Sequence, residues 1–73
     1  MLARVTLPSE DRERLLAALR RVDPGEFRAQ VRAVLAAYGE LTGSARALGV
    51  AASTLDSWIA ADPSLAAGLE LAP

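Results

Sequence analysis

The residues whose types and spacing could do chemistry in this chain are cations and small hydroxyls. Arg28 and Arg32 stand one helical turn apart, and Arg46 follows in a second element. Guanidinium groups so placed suit phosphate oxygens, which they meet in charge-assisted hydrogen bonds. Ser53 and Ser57 are also one turn apart and can donate to phosphates or base edges, while Ala52 beside them can meet a thymine methyl. Asp56, between the two serines, can accept from a cytosine amino group but repels phosphate. Arg28, Arg32, Arg46, Ala52, Ser53 and Ser57 are therefore the candidate contacts to double-stranded DNA. A plainer reading of Arg28 and Arg32 is a solvated helix edge that pairs with acids. Reaction chemistry has much less to work with. The chain holds no Cys and no His, which removes the commonest general base, the thiol nucleophile and the usual zinc ligands. No catalytic residue, metal site or cofactor is expected, and the chain does not read as an enzyme.

The stretch that must position these residues is Leu41 to Ile59, LTGSARALGVAASTLDSWI. Ala45 is small enough for two helices to approach closely, and Leu48 faces a shared core. Gly49 can take positive φ to end the first helix, where a Cβ would be strained. Val50, Leu55, Trp58 and Ile59 give the second helix its buried stripe. Two helices joined through such a turn read as a helix-turn-helix. Thr42 is a candidate cap for the first helix. Ala51 is a poor cap for the second, and Ser53 to Asp56 offers a later one that would trim it by about a turn.

On these residues the chain resembles the Fis-like helix-turn-helix family, whose usual run is G-N-x-T-x-A-A-x-x-L-G-[IV]-S-R-x-T-L-Y-R. Gly39, Thr42, Ala45, Leu48, Gly49, Val50, Thr54 and Leu55 match it. Trp58 to Leu69, with Asp62-Pro63 and Leu65, resembles small phage terminase-type and transposase-type helix-turn-helix proteins. The resemblance implies a small bacterial or phage regulator, or an accessory of DNA packaging or recombination. Departures fall where such families touch DNA: Ala51-Ala52 replaces Ser-Arg, and Asp56-Ser57 replaces Tyr-Arg. A second resemblance lies upstream. Arg4-x-Thr6-x-Pro8 before two helices is similar to the ribbon-helix-helix repressors, which implies a dimer reading DNA through residues 4–6.

Composition limits the remaining options. Seventy-three residues make one small domain with little core to spare. Its apolar runs are too short to span a bilayer, and MLARVTLPSE lacks the apolar core of a signal peptide, so a cytoplasmic protein without a membrane partner is expected. The net charge of −1 hides an asymmetry. Residues 1–38 hold seven basic and five acidic side chains, whereas residues 39–73 hold one and four. DNA-binding domains usually concentrate positive charge around the helix that enters the groove. Here it lies upstream.

The expected fold is an all-α bundle with helices near 9–22, 24–38, 42–48, 52–61 and 63–70, preceded by a short extended arm over residues 1–8. Leu15, Leu16, Leu19 and Val22 form the stripe of the first helix, and Phe27, Val31, Val34, Leu35 and Tyr38 that of the second. Asp23 caps, Pro24 opens and Gly39 closes the second helix. Asp62 and Pro63 restart the last, and residues 71–73 should fray. The expected core is Leu15, Leu19, Phe27, Val31, Leu35, Ala45, Leu48, Val50, Leu55, Trp58 and Leu65. Two functions from different classes fit this fold. One is DNA binding, with two copies in a homodimer so that weak half-sites add. The other is docking on a protein partner, which the uncharged face of the second motif helix and the acidic C-terminal half favour.

Overall fold

The computed structural model of the chain describes residues 9–72. These residues form four α-helices and no strand: α1 (Ser9–Val22), α2 (Pro24–Tyr38), α3 (Leu41–Leu48) and α4 (Ala52–Ala61). A 3-10 turn at Pro63–Leu65 follows. The all-α class is as expected. No helix is long and apolar enough to cross a membrane among the described residues. The arm of residues 1–8, with the ribbon reading of residues 4–6, lies outside them.

Local chemistry sets the breaks between helices. Asp23 alone separates α1 from α2; its Oδ1 accepts from the Glu26 N–H at 3.1 Å, and Pro24 sits where no amide donor is missed. Gly39 ends α2 at φ 70°. Gly49 ends α3 at φ 79°, with Val50 N–H donating to the Ala45 carbonyl at 3.0 Å and Gly49 N–H to the Arg46 carbonyl at 3.1 Å. Those two bonds make a Schellman motif. The start of α3 departs from expectation. Thr42 is not the cap: the helix begins one residue earlier, from an extended Glu40 that makes no side-chain cap bond. The Glu40 carbonyl accepts from both the N–H (3.1 Å) and the hydroxyl (2.6 Å) of Ser44, which satisfies a fully buried polar side chain.

The C-terminal segment is the largest correction. Residues 63–70 do not form a helix; the bonds after Pro63 run to the third residue back, as in Ala66 N–H to Pro63 carbonyl at 3.1 Å. Gly68 then turns the chain at φ 79°, a conformation no helix contains. Nor do residues 71 and 72 fray. Ala72 donates to the Gly39 carbonyl at 2.8 Å, an acceptor left open by the end of α2, and Leu69 and Leu71 pack on the core.

The core is Phe27, Val31, Leu35, Ala45, Val50, Leu55, Trp58 and Leu65. Phe27 and Trp58 meet edge to face, ring centroids 5.2 Å apart. Helix α1 contributes only half-buried Leu16 and Leu19. The core place expected for Leu15 is therefore corrected, since it is 59% exposed, and Val22 and Tyr38 are exposed too. The inward line of α1 is Arg12, Leu16 and Leu19, spaced four and three. At 100° per residue Leu15 falls off that line onto one flank with Val22.

Candidate nucleic-acid interface

The site is built around α4. No side chain on α4 caps its first turn, yet the helix is not trimmed to a later start at Ser53. The missing acceptor comes from α1. Glu13 Oε2 accepts from the Ala51 N–H at 2.8 Å and from the Thr54 hydroxyl at 3.1 Å. In a capping box the fourth residue of the motif supplies this acceptor; here a different helix does. The carboxylate also meets the positive end of α4. Beside it, Arg12 lies over the turn, so close that a Cβ on Gly49 would collide with its Cδ. Arg12 and Glu13 thus clasp the turn between α3 and α4. Sequence reasoning missed this pair, although a helix start without a capping side chain signals that an acceptor must come from elsewhere.

The outward face of α4 carries Ser53, Asp56, Ser57 and Ala60, all exposed, with Ala52 half-buried at its edge. A shallow cleft between α3 and α4 is lined by Thr42, Ala45, Arg46, Gly49, Val50 and Ala52. The structure therefore brings exposed Arg46 beside Ala52 at the start of α4, and sets Ser53 and Ser57 on the adjoining face.

Arg28 and Arg32 lie elsewhere. They reach the far end of α4, about 15 Å along a ten-residue helix. Arg28 Nη2 donates to Asp62 Oδ2 at 3.3 Å, and Arg32 Nη1 donates to the Ser64 carbonyl at 2.6 Å. Asp62 also accepts from the Ser64 hydroxyl at 2.5 Å and the Ser64 N–H at 3.2 Å. The Ser64 hydroxyl, helped by the Ser64 amide and Arg28, holds the Asp62 carboxyl below its ordinary value, against a smaller opposing effect of burial. The two arginines brace the segment after α4. The reading in which they pair with acids describes Arg28.

Comparison of the chain with protein-family models, curated proteins and solved structures gives no match.

Proposed function

We propose that α3 and α4 form a helix-turn-helix, and that the protein is a small DNA-binding protein whose α4 lies in the major groove. The observation that carries this reading is the left-handed turn at Gly49 that joins α3 to α4, together with an outward face of α4 made only of Ser53, Asp56, Ser57 and Ala60, with Arg46 at its edge. Ser53 and Ser57 then face base edges or phosphates, and Ala52 a thymine methyl. Arg46 supplies a phosphate contact on the α3 side. Without a bidentate reader on α4, one copy binds weakly, so a homodimer on two half-sites is part of the proposal. A cytoplasmic bacterial or phage regulator, or an accessory of DNA packaging or recombination, is the role such a module suits.

One observation favours docking on a protein partner instead. Leu15 and Val22, 59% and 83% exposed, share one flank of α1. A salt titration of a fluorescently labelled duplex, read by anisotropy, separates the two. DNA binding weakens steeply as salt rises, whereas an apolar protein contact does not. No binding at about 50 mM salt, where phosphate contacts are strong, would overturn the DNA reading.

A further inference from the structure

The sequence places excess positive charge upstream of α3 and α4, and the structure gives that charge a location. Around α1, Arg12, Leu16 and Leu19 point inward, Glu13, Ala17 and Arg20 fall on the flank opposite Leu15 and Val22, and Arg14 and Arg21 point away from the core between the two flanks. Arg14, Ala17, Arg20 and Arg21 together line a shallow groove, with the small Ala17 among three long cations. A second groove, lined by Glu13, Arg14, Ala17, Thr54 and Trp58, shares two of those residues. The basic flank of α1 is therefore continuous with the edge of α4.

These cations have little to do within the fold. Among the described residues, neither Arg20 nor Arg21 has an ion-pair or hydrogen-bond partner. Arg14 reaches Asp11 only at 3.7 Å with its side chain 81% exposed, a pair of negligible strength in water. Glu13, the acid nearest Arg14 along the helix, is turned into the start of α4, and Asp23, the acid nearest Arg20 and Arg21, accepts from the Glu26 N–H. The end of α1 is a favourable place for Arg20 and Arg21 in any helix. Arg14 lies two turns earlier and has no such reason.

We propose that Arg14, Arg20 and Arg21 form a binding surface for the phosphate backbone of duplex DNA. The proposal rests on the DNA reading above and extends it, putting cations on both sides of α4: Arg46 beside α3 and these three on α1. From Arg14 to Arg21 the helix rises about 10 Å, close to the axial rise of three nucleotides. Such a surface holds the duplex without reading its sequence.

Anisotropy of a labelled duplex against salt tests it, with wild type, Arg14→Ala, Arg20→Ala/Arg21→Ala, Arg46→Ala and Leu15→Gln. Circular dichroism confirms that each variant is folded, and the single Arg14→Ala change carries the test if the double one is not. Each α1 arginine removed should shrink the loss of affinity between about 50 and 200 mM salt by roughly three-fold, for preferred and random sequences alike. Leu15→Gln, on the other flank, should change nothing. If the α1 variants keep the wild-type salt dependence while Arg46→Ala lowers it, this surface is overturned and the DNA reading stands. If wild type does not bind at about 50 mM salt, both fall. Binding of anionic lipid vesicles but not of duplex, lost with the same arginines, would also overturn the nucleic-acid assignment.

Discussion

At the scale of single residues, the turn between α3 and α4 depends on contacts from three helices. Gly49 holds φ 79° and lies under Arg12. An L-residue in the left-handed region costs roughly 1–2 kcal/mol, so Gly49→Ala should lower stability by about that amount, measured by urea unfolding. If backbone strain is the cause, Arg12→Ala will not rescue it; if collision with Arg12 is the cause, it will. Glu13 is testable in the same way. Glu13→Ala removes the acceptor for the Ala51 N–H and should cost about 1 kcal/mol, the usual worth of a cap. Glu13→Gln keeps a carbonyl oxygen there and should cost less. Equal losses in the two variants would mean that charge at the start of α4, not the hydrogen bond, is what matters. Leu55 is fully buried, and Leu55→Ala should cost roughly 2–5 kcal/mol, readable as a large drop in melting temperature.

At the scale of elements, the segment after α4 is held by Asp62, Ser64, Arg28 and Arg32. The Asp62 carboxyl titrates below its ordinary value because Ser64 and Arg28 favour its charged form. A depressed pKa means that this stabilisation is present at neutral pH. It fades as pH falls past the unfolded aspartate value of about 3.9 and is gone below the lower folded value. Asp62→Asn should therefore melt below wild type at neutral pH, and the gap should close in acid. A gap that persists in strong acid would place the loss in packing instead. This segment also marks the limit of what could be read from sequence. All four α-helices were legible, in the spacing of Leu16, Phe27, Val31, Leu35, Ala45, Leu48, Leu55 and Trp58 and in Asp23, Gly39 and Gly49, with the start of α3 off by one residue. A helix over 63–70 was expected because Leu65 and Leu69 stand four apart, but Gly68 takes a positive φ there. Both leucines still reach the core, which periodicity alone cannot distinguish from helix. The clasp of Arg12 and Glu13 was not legible, because it joins residues about 40 apart in sequence through long side chains. Leu15 was misplaced for a simpler reason. Leu15 and Leu16 are adjacent leucines, and only the position of α2 decides which of them turns inward.

At the scale of the whole molecule, the arginines divide by what they touch. Arg12, Arg28 and Arg32 are engaged with the turn, Asp62 and the Ser64 carbonyl. Arg46 lies beside the start of α4, Arg14 shares a groove with Thr54 and Trp58 of α4, and Arg20 and Arg21 continue that surface along α1. If that division governs function, two measurements should separate the groups. Thermal unfolding is followed by the fluorescence of Trp58, which is buried against Phe27 and so reports folding. Arg28→Ala and Arg32→Ala should lower the melting temperature, because each frees the C-terminal segment. They should leave the salt dependence of DNA binding unchanged in the fraction that is folded. Variants in the second group should do the reverse. Four available cations per chain give a slope of log affinity on log salt near −3.6 for a monomer and near −7 for a dimer, taking about −0.9 per contact. The measured wild-type slope then reports how many chains sit on one duplex. Asp56→Arg, on the open face of α4, should steepen it by about 0.9 per chain by adding a contact, and raise binding to random sequence by removing a repulsion. Should Arg28→Ala or Arg32→Ala instead flatten the slope at unchanged melting temperature, those two are phosphate contacts after all. The far end of α4, and not its start, would then be the end that meets the DNA backbone.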